Sequence, residues 1–329
     1  MQLRALANHQ VPAIGLGCMN LNHAYGQAPL EDDAIALLHR AFELGVRHFD
    51  TAALYGFGGN ETLVGKALKP LRKELFLASK CGMTGVDGKR VIDGRPETLQ
   101  VTIDAALKRL QTDHIDLYYL HRWDKQVPIE DSVGAMARMV EQGKVGALGL
   151  SEVSATTLHR AHAEHPIAAV QTEYSLWSRN AEIAVLEACK ELGAAFVAFS
   201  PLARGFLSGG VDDPDALEAK DIRRNMPRFQ QPAFAANKAL LVQLQKLAEE
   251  AGCSSGQLAL QWLLNQGEHI LPIPGTRSVQ HMEENIQAAG LKLNESVLQA
   301  AGDLINQQSI YGARYPDATL AEIDTEDFV

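Results

Sequence analysis

Short apolar runs alternate with longer stretches in which apolar residues recur every three or four positions, almost from one end of the chain to the other. The runs read as strands and the periodic stretches as amphipathic helices. Residues 11–17 open the series and precede a helical pattern over about 32–44. Residues 48–50 lead to a helix near 61–68, 75–80 to one near 97–110, and 115–121 to one near 129–142. Residues 145–151 precede a helix near 155–163, 168–174 one near 182–192, 195–201 one near 237–251, and 270–275 one near 279–289. Strand runs this poor in polar residues predict a parallel sheet covered by helices. Eight strand–helix units in 329 residues predict one α/β domain over 1–329, a (β/α)8 TIM barrel, in preference to an open doubly wound sheet. Gly45, Gly143, Gly193 and Gly252 each follow a helical stretch, where a left-handed cap suits glycine. Two segments stand outside the repeat: a long loop at 203–236 and a C-terminal tail at 307–329. Loops of that length often act as lids. Residues 85–90 read as a hairpin turn with solvated charges.

Composition adds constraints. A hydrophobic content of 46% is ample for a large core and argues against a disordered chain. The formal net charge of -10 argues against a general nucleic-acid or anionic-membrane binder, while leaving room for a local basic site for a phosphorylated ligand. The chain has no apolar run long enough to span a bilayer and no apolar leader core. Cys18, Cys81, Cys189 and Cys253 are scattered without CxxC spacing, which suggests neither a disulfide framework nor a metal site. The expectation is a cytoplasmic protein with a small-molecule partner.

The polar residues that end the strand runs carry the chemistry. Asp50 ends the second run and Tyr55 follows it; Lys80 ends the third and His121 the fourth. In a parallel barrel these ends share one rim, the rim on which such barrels hold their catalytic groups. A phenol beside an ammonium makes a proton donor usable near neutral pH, which points to carbonyl reduction.

With these residues in that order, the chain resembles the aldo-keto reductases over essentially its whole length. The likeness rests on Gly45-Val46-Arg47-His48-Phe49-Asp50-Thr51-Ala52 with Tyr55, Asn60 and Glu61, then Lys80 and Asp116-Leu117-Tyr118-Tyr119-Leu120-His121. It continues through Gly149-Leu150-Ser151, Gln171 to Tyr174, Ser200-Pro201-Leu202 with Gly205 and Leu207, and Ile273-Pro274-Gly275 with Glu284-Asn285. The resemblance implies a barrel that binds NADPH without a Rossmann domain and reduces aldehydes or ketones to alcohols, reversibly in principle. It implies that Tyr55 protonates the carbonyl oxygen as hydride arrives from the nicotinamide. Lys80 would lower the phenol's pKa from its usual value near ~10, Asp50 would hold Lys80 charged, and His121 would bind the carbonyl oxygen.

The resemblance also implies a cofactor set. Ser151 and Gln171 are assigned to the nicotinamide amide, and Tyr174 to stacking on its ring. Glu152 stands where the family usually has asparagine, and a carboxylate accepts but does not donate, so its contact is expected to differ. Ser200, Leu202, Gly205 and Leu207 are placed near the pyrophosphate. Gly275 and Arg277 precede a helix, where main-chain N–H groups and a guanidinium suit a phosphate. Arg277, with Gln280, Glu284 and Asn285, is assigned to the adenosine 2′-phosphate and adenine. This stretch departs from the lysine–serine and later arginine of some members, with His281 at the later position. Met19, Phe57 and Trp123, in rim loops, are candidate substrate contacts; Trp177, Phe206, Phe229, Tyr311 and Arg314 are further candidates for the pocket.

Two other readings remain open at this stage. Lys80 is also the residue type a Schiff-base aldolase uses as nucleophile. A nicotinamide-binding regulatory subunit is the second, although no long N-terminal extension is present to support it.

Overall fold

All six residues of the run Phe76–Cys81 are buried, and so are all three of His48–Asp50, so these strands need cover on both faces. The computed structural model, which describes residues 2–328, provides that cover with a barrel. A hairpin of β1 (Leu3–Leu6) and β2 (His9–Pro12) comes first, followed by β3 (Leu16–Gly17), β4 (His48–Asp50) and β5 (Phe76–Cys81). A second hairpin, β6 (Met83–Val86) and β7 (Lys89–Ile92), interrupts the alternation. It resumes with β8 (Ile115–Leu120), β9 (Val145–Ser151), β10 (Ile167–Glu173), β11 (Ala195–Phe199) and β12 (Ile270–Pro272). Strands β3, β4, β5, β8, β9, β10, β11 and β12 form one parallel sheet in that order. The sheet curls until its edges meet. Gly15 N–H donates to Pro272 O at 3.1 Å and Gly17 N–H to Pro274 O at 3.3 Å. The seam requires a small residue, because a Cβ on Gly17 would lie 2.8 Å from Ile273 O.

Side chains alternate between the barrel interior and the helix layer, as strand geometry dictates. Phe76, Ala78, Leu117, Tyr119, Ala169, Val197 and Leu271 fill the interior, and Leu6 and Val11 of the first hairpin pack against them. The opposite parity, including Phe49, Leu77, Tyr118, Val170 and Phe196, meets the helices in a larger outer core. Those helices are α1 (Glu31–Glu43), α2 (Gly59–Leu68), α3 (Pro96–Leu110), α4 (Ile129–Glu141), α5 (Ala155–Glu164), α6 (Val185–Glu191), α7 (Ala233–Glu250), α8 (Ser255–Asn265), α9 (Val279–Ala288), α10 (Glu295–Leu304) and α11 (Asp317–Leu320).

The eightfold alternation expected from the sequence is therefore present, and all four expected cap glycines adopt positive φ. Three details differ. The run 11–17 is split between the plugging hairpin and a two-residue β3. The expected helix at 182–192 begins only at Val185, after a 3-10 turn at Asn180–Glu182. Helices α8 and α10 were not expected. The first of them starts at a capping box in which Ser254 and Gln257 satisfy each other's main-chain N–H groups.

Candidate active site

A cavity of about 890 Å³ opens at the C-terminal ends of the strands, at the large end of the range for ligand pockets. Asp50, Tyr55 and His121 line one end; Arg277, Glu284 and Asn285 line another part of its wall. Lys80 lies behind Tyr55, fully buried.

Local structure holds Tyr55 in place. It begins a 3-10 turn that leads into α2, and the start of that helix is tied down by side chains. Asn60 accepts from the Thr51 hydroxyl at 2.6 Å and donates to Cys18 O at 2.9 Å. Buried Glu61 accepts from Ser79 at 2.5 Å and pairs with Arg109 at 2.6 Å. The Asn60-Glu61 pair of the sequence motif is thus the anchor of the loop that carries the phenol.

Lys80 Nζ lies 3.4 Å from Tyr55 Oη, donates to Thr51 O at 2.8 Å and forms an ion pair with Asp50. The second carboxylate oxygen of Asp50 accepts from Gln171 Nε2 at 2.8 Å. Burial works against charge on Lys80, but Asp50 and Tyr55 outweigh it, and its pKa is raised. Such an ammonium is no nucleophile, which removes the support for a Schiff-base role. For Tyr55, burial pushes the phenol up; Lys80 pulls it down without overcoming burial, so the net direction is upward. Lys80 therefore acts in the expected direction, and the burial that the sequence did not reveal is what leaves the phenol above its ordinary value.

His121 meets the Tyr55 ring edge-on, with centroids 5.7 Å apart. Burial, followed by the charges of Arg122 and Lys80, drives its pKa well below the usual value, so the ring is neutral. Among the described residues its Nδ1 is enclosed without a partner, which leaves Nε2 as the ring nitrogen open to the cavity. His23 stacks on Tyr55 at 5.8 Å and also lines the cavity.

The expected cofactor residues divide. Ser151 and Gln171 lie on the cavity wall, as do Ser200, Leu202, Gly205 and Gly275. Arg277 is exposed there and donates to Gln27 O; His281 is beside it on the wall. Glu284 accepts from Ser254, and Asn285 is buried. Gln280 is exposed and lies off the cavity wall.

Tyr174 also lies off the cavity. It is three residues beyond inward-facing Gln171, so it points outward, packs edge-on against Phe196 and Trp262, and hydrogen-bonds Glu182 at 2.8 Å. On the neighbouring strand β11 the aromatic Phe199 does line the cavity, sharing the inward parity of Ala195 and Val197. That parity was the signal available in the sequence. Leu207 is fully buried in the outer core. Glu152 is buried at a φ of 56° and points away from the cavity: it pairs with Arg314 and accepts from Thr325 at 2.7 Å and Glu173 N–H at 3.0 Å.

Of the substrate candidates, Met19 and Phe57 line the cavity. Phe57 lies on the second hairpin where Gly85 has no side chain; a Cβ there would sit 2.0 Å from the ring. Trp123 lies off the wall, its Nε1 donating to Val127 O at 2.9 Å. Trp177 stacks on Phe206, and Phe229 meets both edge-on, as core under the long loop. Tyr311 is exposed away from the cavity, and Arg314 is committed to Glu152. From the long loop and tail the cavity instead receives Arg204, Arg223, Tyr315, Pro316 and Thr319. Arg90 of the second hairpin also lines the cavity and pairs with Glu322, so its charge is not simply solvated.

The model of the Aldo/keto reductase family matches residues 13–305. This chain belongs to the aldo-keto reductase family. It is 41% identical over 327 residues to the NADP(+) aldo-keto reductase yakc of Schizosaccharomyces pombe, covering 97% of this chain and 96% of that protein. It is 42% identical over 309 residues to probable aldo-keto reductase 1 of Glycine max, covering 93% and 89%. Among solved structures, the glycerol dehydrogenase of Gluconobacter oxydans superposes with a TM-score of 0.84 at 27% identity, covering 92% and 94% of the two chains. An aldo/keto reductase of Klebsiella pneumoniae in complex with NADP and acetate superposes with a TM-score of 0.72 at 26% identity, covering 94% and 96%.

Proposed function

We propose that this aldo-keto reductase uses NADPH to reduce aldehydes or ketones to alcohols. One observation carries the reading: a cavity-lining phenol stands 3.4 Å from a buried ammonium that a carboxylate holds in place. The residues present suit the cofactor. The cavity holds glycines at 205 and 275, an exposed guanidinium at Arg277 ahead of a helix N-terminus, and the polar pair Ser151 and Gln171 near Tyr55. When bound, the reduced nicotinamide supplies hydride to the carbonyl carbon.

The chain's own residues manage the oxygen. Tyr55 Oη donates the proton, and Lys80 stabilises the phenolate left behind. Asp50 keeps Lys80 charged and aimed, and Gln171 fixes Asp50 in turn. Neutral His121 offers one N–H to the carbonyl oxygen and orients it. Phe199 supplies a face for the nicotinamide in place of Tyr174, and Arg277 and His281 meet the 2′-phosphate. Met19 and Phe57 contact the substrate. Among the described residues no helix is long and apolar enough to cross a membrane. The four free cysteines suit a reducing compartment, in keeping with a cytoplasmic enzyme.

The test is NADPH oxidation with an aryl aldehyde or a dicarbonyl. Tyr55→Phe removes one hydroxyl and should lower turnover by ~10²–10⁴-fold while NADPH binding persists. Near-normal turnover in that variant overturns the proton donor. Tight NADPH binding with no turnover of any carbonyl favours the regulatory-subunit reading instead.

A further inference from the structure

Among the described residues five arginines line the cavity, and carboxylates already hold three of them: Arg90 by Glu322, Arg204 by Glu173 and Arg223 by Asp221. Arg277 is accounted for by the phosphate. Arg122 is not accounted for. Its Nη1 donates to His121 O at 2.6 Å and to Ser151 Oγ at 3.3 Å, both neutral acceptors. Among the described residues its Nε is buried without a partner, nothing accepts from Nη2 and no carboxylate pairs with the group. The nearby carboxylates are otherwise engaged. Asp50 is held by Lys80 and Gln171, and Asp124 accepts from the main-chain N–H groups of Gly94 and Gln126.

An uncompensated guanidinium therefore stands on the cavity wall in the residue next to His121, with the partly exposed Arg90 on the same wall. Its charge acts on His121 and Tyr55, but none of its hydrogen bonds reaches the Tyr55 hydroxyl. Guanidinium groups suit carboxylates because their donors match both oxygens. Met19, Leu54, Phe57 and Met83 provide apolar surface in the same cavity. We propose that Arg122, assisted by Arg90, is a recognition site for an anionic substituent, so that the preferred substrates are aldehydes or ketones carrying a carboxylate on an apolar body. This rests on the reductase reading and names the substrate class of that site.

The experiment compares 4-carboxybenzaldehyde with its neutral methyl ester in the wild type, R122M, R122K and R90M. The wild type should favour the acid in kcat/KM. In R122M the acid-to-ester ratio should fall about ten- to a hundredfold, the scale of a charge-assisted hydrogen bond. R122K should recover part of it, and R90M should lose less. Calorimetric titration of the same acid and ester into the NADP+ complex reads the preference without turnover, so it decides the matter even if no carbonyl is reduced. A wild type that binds and turns over the ester as well as the acid overturns the proposal. So does an R122M variant whose loss falls equally on acid, ester and NADPH affinity, because Arg122 then serves the cofactor.

Discussion

Replacing Arg314 by methionine isolates the contact that ties the C-terminal tail to the barrel. The side chains of Glu152 and Arg314 are 0% and 5% exposed, so the substitution leaves a carboxylate enclosed without its cation. Breaking a buried pair in this way costs about 3–5 kcal/mol. Glu152 retains hydrogen bonds from Thr325 and Glu173 N–H, which favours the lower end, about 3 kcal/mol. At roughly 2 °C per kcal/mol for a large domain, the melting temperature should fall by about 6 °C. Loss should appear first in the tail, as faster amide hydrogen exchange over 311–328, because Asp324 N–H bonds Glu152 O at 2.9 Å. Adding Glu152→Gln removes the stranded charge, so the double variant should regain most of the lost stability. The measurements are denaturant unfolding of both single variants and the double, with exchange mass spectrometry. If Arg314→Met alone costs less than about 0.5 kcal/mol and Glu152→Gln adds nothing, the pair is not what anchors the tail.

Three further outcomes follow from other groups. Arg277→Ala should weaken NADPH about ten- to a hundredfold and leave NADH nearly unchanged in a fluorescence titration, since only NADPH offers a 2′-phosphate; equal losses would mean that Arg277 merely supports its loop. The raised Tyr55 pKa keeps the phenol protonated through neutral pH. Carbonyl reduction should therefore be flat from about pH 6 to about pH 9 and fall beyond tyrosine's ordinary ~10, while alcohol oxidation, which needs the phenolate, should rise with pH. Burial lowers the His48 pKa to about 4 from a reference near 6.5. Between those values the unfolded chain binds the extra proton, so stability should drop by roughly 3 kcal/mol as pH falls through this window. Denaturant melts of His48→Asn should show a shallower pH slope, whatever its stability at pH 7.

The sequence made the barrel and its candidate catalytic rim legible for physical reasons. Strands such as Phe76–Cys81 are buried on both faces and read as unbroken apolar runs, and parallel strands place Asp50, Lys80 and His121 at the same end. Helix α8 was hidden because Leu258, Ala259, Leu260, Trp262, Leu263 and Leu264 are all buried, which blurs the periodic stripe; only its capping box marked it. Tyr174 was misassigned where counting parity from Gln171 would have turned it outward. Glu152 stood out as an irregular residue, but its partner lies 162 positions away, beyond any local pattern. The Tyr55 pKa depends on how far burial outweighs Lys80, and enclosure is a property of the folded chain alone.

The seam between β3 and β12 bears on how the molecule comes into being. Gly17 and Gly275 face the cavity from its two sides, and a Cβ on Gly275 would approach Gly17 O to 2.8 Å. The pocket therefore spans the junction between the first and last strands of the barrel sheet. It cannot exist during synthesis until residue 275 has joined residue 17, the kind of distant pairing that slows folding. A ligand across that junction acts as a clasp, because its binding energy is added to closure.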